Sequence, residues 1–482
     1  MSYIFEGFQP ENLWKHFYDL NQIPRESKHE EEVSNWLVDF AENLDLEVEQ
    51  DQLGNVRIKK PGDLSGPTVC LQGHMDMVCE KEDEVEHDFR NDPIPMKIED
   101  GWVTADGTSL GADNGIGIAA ALALMEEDFS HPPLEFLFTV DEETGLTGAM
   151  EMSEDFVSAD ILINCDSEDW GIFTIGCAGG RNTKIELDIN RKPKPSDKKA
   201  LKLEIRGLKG GHSGMDIDKG RANAIEQLNR LTAWLDEKFD IDLVDFKAGD
   251  AHNAIPRYAE GYIFINGSSL EEINKLCKKF DWEVNQEYGK KENKIVIKTE
   301  KVELDKQPLS NESKSKFINL IKGIPHGVIA MSPDIEDMVQ TSTNLAVVEI
   351  EDGRAQILTS QRSSVSSQKD EISYRVKAVA DLAGAKTEFS GDYPGWEPNP
   401  DSEILHVMKE VYRELYNEEP IHEAVHAGLE TGIIGKRVPG IDMVSFGPTI
   451  ENPHSPSERL KIETVDKFWE LLKETLNKLG EE

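Results

Sequence analysis

Residues 68–76 read TVCLQGHMD: five residues fit for a buried strand, a glycine, then His74, with Asp76 two places on. Two further apolar runs end the same way. Residues 134–140 (LEFLFTV) lead into Asp141-Glu142-Glu143-Thr144-Gly145, and residues 161–164 (ILIN) lead into Cys165-Asp166-Ser167. Short, nearly continuous apolar runs suit strands of a sheet covered on both faces. Ligands and catalytic groups collect at the carboxyl ends of such strands. A fourth cluster, Gly111-Ala112-Asp113-Asn114-Gly115, opens a stretch predicted as a helix over 115–125 (GIGIAAALALM). A fifth, Asn452-Pro453-His454-Ser455, lies far downstream. Strand after strand delivering histidine or carboxylate to one edge points to a metal-dependent hydrolase.

Two imidazoles (His74, His454) and three carboxylates (Asp113, Glu143, Asp166) are enough to hold two Zn²⁺ ions if one carboxylate bridges. Zinc takes nitrogen and oxygen donors, and catalytic sites leave a position for water. Three carboxylates against two divalent ions leave one positive charge, which a bridging hydroxide cancels. Paired ions polarise a carbonyl and produce hydroxide near neutral pH. The water's proton needs an acceptor, and Glu142, beside Glu143, is the candidate general base because neighbouring residues at a strand end diverge. Asp76 is placed to accept the other ring N–H of His74 and so fix its tautomer. The same donors also serve Mn²⁺ and Co²⁺ as substitutes. Singly, these clusters read as an acidic turn, a cap or a loop histidine. The recurrence of glycine-rich, strand-end placement favours the joint reading.

Length and composition bound the rest. A chain of 482 residues holds two or three domains with a sizeable core. The N-terminal stretch MSYIFEGFQPENLW has no signal-peptide pattern, and no apolar run approaches the roughly 18–20 residues of a membrane span. Five scattered cysteines (70, 79, 165, 177, 277) without C-x-x-C spacing suit a reducing cytoplasm. A net charge of −41 argues against nucleic acid or an anionic membrane as partner. Five acids of the proposed site do not explain that bias, which reads as a heavily solvated surface. The glycines near 115 do not form G-x-G-x-x-G after a strand, which argues against a dinucleotide.

Strands and helices alternate to about residue 180. Helices are predicted over 11–20 and 29–44, and strands over 46–50 and 56–59. The polar, proline-bearing stretch 191–199 (RKPKPSDKK) then reads as a connection. Strand-like runs at 201–205, 260–265, 294–298 and 346–350 follow, interleaved with helix-like runs at 222–239, 270–280 and 313–321. These suggest an α+β lid. A helix over 401–416, a strand over 442–446 and a closing helix over 465–479 complete the pattern. Because His454 lies in this last part, it must rejoin the first. The expected architecture is therefore α/β: a discontinuous catalytic domain (1–181 and 389–482), its mixed sheet flanked by helices, with the lid (182–388) inserted.

The order His-x-Asp, Gly-Ala-Asp-Asn, Glu-Glu-x-Gly, Asp, late His resembles the aminoacylase/carboxypeptidase-G family of di-zinc exopeptidases. The strings at 71–78 (LQGHMDMV), 109–117 (SLGADNGIG), 207–214 (GLKGGHSG) and 426–432 (HAGLETG) resemble its dipeptide-cleaving branch over essentially the whole chain. The resemblance implies that Asp113 bridges, that His74 and Asp166 complete one metal, and that Glu143 and His454 complete the other. It also implies a cis Asp113–Asn114 peptide and a homodimer. From the lid, it implies an oxyanion donor in His212 and polar substrate contacts in Asn253 and Arg362, the latter suited to a substrate carboxylate. Gly428 and Glu430 would line the substrate pocket, Glu430 facing the substrate's amino terminus. The implied activity is hydrolysis of unblocked dipeptides, Xaa-His and broader, by a metal-bridged hydroxide. Two other readings remain at this point: an N-acyl-amino-acid amidohydrolase of the same family, and a non-catalytic peptide- or metal-binding protein.

Overall fold

The computed structural model describes residues 3–333, 335–351 and 353–481. The chain divides into two compact units: residues 1–177, 396–424 and 429–482 form one, and residues 178–395 with 425–428 form the other.

The first unit is built on an eight-stranded mixed sheet. Its order is Glu47–Gln50, Val56–Lys60, Leu134–Thr139, Val69–His74, Ile161–Asn164, Asp442–Ser445, Ile172–Cys177 and Ile421–Val425. The central four strands, from Leu134–Thr139 to Asp442–Ser445, run parallel. They are buried at every position but Asp442, which is why they read as continuous apolar runs rather than as alternating ones. The register sets His74 opposite Thr139, Gln72 opposite Asn164, and Asn164 opposite Ser445. The carboxyl ends of the parallel strands thus stand side by side.

The helix Ala112–Glu126 is buried at every position from Asn114 to Met125. A helix apolar all round belongs inside, and it packs against the helix Glu11–Leu20 and the strand Val69–His74. The span takes in the polar motif, but Asp113 (φ −80°, ψ 113°) and Asn114 (φ −102°, ψ 30°) are not helical, so the regular helix runs from Gly115, its predicted start. Gly111 precedes it at φ 68°, and the Asp113–Asn114 peptide is cis.

The second unit carries a nine-stranded antiparallel sheet. Helices Ala224–Phe239, Leu270–Tyr288, Asn311–Gly323 and Ser366–Ala383 contribute to one core with Leu203, Phe246 and Ile263 of the sheet. Asn223 caps the first of these helices, accepting the N–H of Ile225 at 2.8 Å. The predicted helix at 270–280 continues to Tyr288, because the buried stripe Ile273, Leu276, Phe280 extends one turn to Val284. The predicted strand at 294–298 lies instead at Val296–Val302. The predicted 346–350 is the later part of a much longer strand, Val339–Glu351, which pairs with Arg354–Ser363.

Candidate metal centre and substrate-binding residues

Five side chains converge where the parallel strands of the first unit end. His74 Nε2 lies 3.0 Å from Asp113 Oδ1 and 3.3 Å from Asp166 Oδ1. His454 Nε2 lies 3.1 Å from Asp113 Oδ2 and 3.1 Å from Glu143 Oε1. Two three-residue groups able to hold a cation thus share Asp113, one oxygen turned to each imidazole. Tetrahedral donors with zinc bonds of 2.0–2.1 Å stand about 3.3 Å apart, close to these separations. Asp166 Oδ1 and Glu143 Oε1 are buried and have no hydrogen-bond donor. Buried oxygens left without donors suit cation ligation, so the residues fit a pair of divalent ions.

The local chain explains the convergence. His74 Nδ1 meets the Asp76 carbonyl oxygen at 3.1 Å and its carboxylate at 3.3 Å, which leaves Nε2 for a metal. The Asp76 carboxylate also accepts the amides of Glu142 (3.0 Å) and Glu143 (3.1 Å) and the Ser27 hydroxyl (2.7 Å). It therefore couples the His74 strand to the Glu142-Glu143 turn. Asn114 Nδ2 donates to the Cys165 carbonyl at 2.6 Å, next to Asp166. Beneath these ends runs a buried polar chain: Gln72 donates to Glu430 Oε2 (2.6 Å) and accepts from Asn164 (2.6 Å), while Thr139 also donates to Glu430 (2.6 Å). Glu430 is fully buried, a setting of a brace under the strand ends.

Electrostatics follow from crowding. Burial pushes the Glu142 carboxyl well above the usual range against the pull of His74, and Asp166 and Glu143 add to the rise. That is the direction a proton-shuttling carboxyl requires. Burial also lifts Asp166 and Glu430 to about 7. The hydrogen bond to Asp113 and the adjacent Glu143 carboxylate lift His454 to about 11. Glu168, which the motif reading passed over, is raised to about 8 by burial and by Asp113 and Asp166. Its only signal is its place two residues after Asp166.

The second unit gathers its own group. His212 pairs with Ala254, and the Ser213 amide donates to the Asn253 carbonyl at 2.7 Å. His212 Nδ1 accepts the amides of Gly214 (3.3 Å) and Met215 (3.2 Å), so the ring proton sits on Nε2. Burial and then the Arg362 charge push His212 down to about 4, keeping it neutral. Arg362 is buried and donates to the Tyr393 hydroxyl at 3.2 Å, but its Nε has no partner. Among the described residues no carboxylate lies within ion-pair distance of it. A Cβ at Gly428 would come within 2.8 Å of the Tyr393 ring, so only glycine fits there.

His252 and His426, unflagged inside the motifs, also feel the Arg362 charge. His426 meets the Ser342 hydroxyl at 2.7 Å, and burial, then Arg362, push it down to about 3. The unfolded chain takes a proton near pH 6.5 that folded His426 refuses. Stability is therefore complete above pH 6.5 and declines as pH falls toward 3. His426→Gln should flatten the dependence of Tm on pH over that window, read by calorimetry; an unchanged slope would show His426 to be proton-accessible.

The sequence model of Peptidase family M20/M25/M40 matches residues 70–478. The chain belongs to this family. Cytosol non-specific dipeptidase of Escherichia coli (strain K12) is 41% identical over 474 residues, 98% of each chain. Among solved structures, aminoacylhistidine dipeptidase from Vibrio alginolyticus matches with a TM-score of 0.91 and 40% identity, covering 98% of each chain. A tripeptidase from Staphylococcus aureus, 18% identical, shares the fold at a TM-score of 0.57 over 98% of this chain and 100% of its own. As an M20 peptidase the protein is a hydrolase, with a mixed α/β catalytic domain and a lid domain. No helix among the described residues of this M20 peptidase is long and apolar enough to cross a membrane.

Proposed function

We propose that the protein is a di-zinc dipeptidase cleaving unblocked dipeptides, Xaa-His among them. The observation that carries this reading is the pair of cation-holding groups sharing Asp113, together with the similarity to two dipeptidases. His74 and Asp166 would hold one ion, Glu143 and His454 the other, and Asp113 both. Bound there, divalent ions supply Lewis acidity toward a carbonyl and lower the pKa of a water. Glu142 takes the proton of the attacking water and returns it to the leaving amine. Neutral His212 offers its Nε2–H to the developing oxyanion. Arg362, buried without a carboxylate partner, takes the substrate's terminal carboxylate, with Asn253 and Gly428 shaping the lid's contribution. The reading carries with it the homodimer that the resemblance implies and the cytoplasmic location that the unpaired cysteines suit.

Release of free amino acids from Ala-His, β-Ala-His, Leu-Gly, N-acetyl-Leu and a tripeptide tests it, using metal-stripped protein with and without added zinc. Zinc-dependent cleavage confined to free dipeptides is expected. Turnover of N-acetyl-Leu alone would make the protein a deacylase, and silence despite bound metal would make it a binding protein.

A charge-assisted hydrogen bond contributes about 1.5–3 kcal/mol. Arg362→Met should therefore raise KM for free dipeptides about 10–100-fold while leaving dipeptide amides little changed. Equal losses on both would remove the carboxylate from Arg362.

A further inference from the structure

Two charged side chains outside the ligand set are buried beside it, and they bond almost entirely to backbone. Glu458 stands four residues past His454. Its Oε2 accepts the N–H groups of Leu110 (2.7 Å) and Gly111 (3.0 Å). Its Oε1 accepts those of Ala112 (2.8 Å) and Asp113 (3.3 Å). Arg25 donates from Nη1 to the carbonyls of Met75 (3.1 Å) and Asp76 (3.0 Å). From Nη2 it donates to the Gly111 carbonyl (2.5 Å) and to Asn21 Oδ1 (3.4 Å). Gly111 is gripped from both sides, its N–H by Glu458 and its carbonyl by Arg25. A Cβ there would lie 2.3 Å from Arg25 Nη2, so the guanidinium already fills that space.

Burying an ion costs several kcal/mol unless its neighbours are arranged to receive it. Neither side chain makes a direct ion pair among the described residues; peptide dipoles receive both, and the two charges attract each other across Gly111. The segments so held are the ones that carry ligands: 74–76 after His74, 110–113 up to Asp113, and 454–458 from His454. Apolar residues of similar volume would fill the same space without choosing one arrangement of those segments.

We propose that Glu458 and Arg25 are positioning residues that fix where Asp113, His74 and His454 present their donor atoms. The strength of metal binding then depends on two side chains that touch no metal. The proposal rests on the reading of this site as a metal centre. In Glu458→Gln, an NH₂ group must face two amide N–H donors; in Arg25→Lys, charge remains but the fork reaching three carbonyls is lost.

The test is a chelator-competition titration with Co²⁺ on the metal-stripped full chain, with the visible cobalt spectrum and a thermal melt recorded alongside. Supporting groups of this kind are worth 10–100-fold in metal affinity. Both variants should weaken Co²⁺ about that much and shift its spectrum while remaining folded. Val33→Ala, a buried change in the helix Glu31–Asn43, should lower Tm but leave affinity unchanged. Folded variants binding Co²⁺ within twofold of native would overturn the proposal. If neither variant folds, Glu458→Asp is titrated instead: a several-fold loss supports the proposal, and native affinity overturns it. Native protein that binds no Co²⁺ overturns the metal centre itself, and the proposal with it.

Discussion

Glu142→Gln protein is expected to bind as much metal as native protein and to turn over dipeptides about 10²–10⁴-fold more slowly. The Glu142 carboxyl has a ligand-type oxygen within 4.8 Å of donor atoms of His74 and Glu143, and it is pushed well above its ordinary pKa by burial. Glutamine keeps the volume and one acceptor oxygen but can neither take nor return a proton. The loss should therefore fall on kcat, with KM little changed. The acidic limb of the pH–rate profile should disappear with it. Elemental analysis of the loaded variant, paired with steady-state rates across the neutral range, checks both halves. Near-native turnover at full metal content would remove Glu142 from the chemistry.

Asp113→Ala should do more, because that side chain serves both cation-holding groups. Its Oδ1 and Oδ2 face different imidazoles at 3.0 and 3.1 Å. Each half of the centre retains only two protein donors without it, too few for a catalytic zinc site, which takes three. Metal content should fall from about two equivalents to less than one, and activity to background. His454→Ala is the informative companion: the group His74, Asp113, Asp166 stays whole, so one equivalent should survive. Two tightly held equivalents in Asp113→Ala would exclude a shared ligand.

How much was legible in the sequence depended on what each residue faces. The central strands were readable because both faces are apolar, so 68–72, 134–140 and 161–164 stand out, and the polar residues that interrupt them mark the strand ends. The strands Val339–Glu351 and Arg354–Ser363 were largely missed. Thr341, Ser342, Thr343, Asn344, Thr359, Ser360, Gln361 and Ser363 are buried yet polar. They satisfy one another instead of an apolar core, as when Thr183 donates to Gln361 (2.7 Å) and Gln361 donates to Thr359 (2.7 Å). No alternation of apolar and polar residues can announce such strands. Gln72, Thr139 and Asn164 escaped notice for a related reason, since a polar residue late in a strand reads as the strand's end. Arg25 and Glu458 left no mark at all. Their partners are main-chain atoms, which carry no sequence signature.

The ligand set is strung from residue 74 to residue 454, whereas the second unit is nearly continuous from 178 to 395. During synthesis residues 178–395 of the second unit, and its short return at 425–428, are all made before His454. No nascent chain that stops before residue 454 holds both imidazoles, and none that stops before residue 445 can place the whole Asp442–Ser445 strand in the sheet. The ligand set is thus completed only after every residue of the second unit has been made.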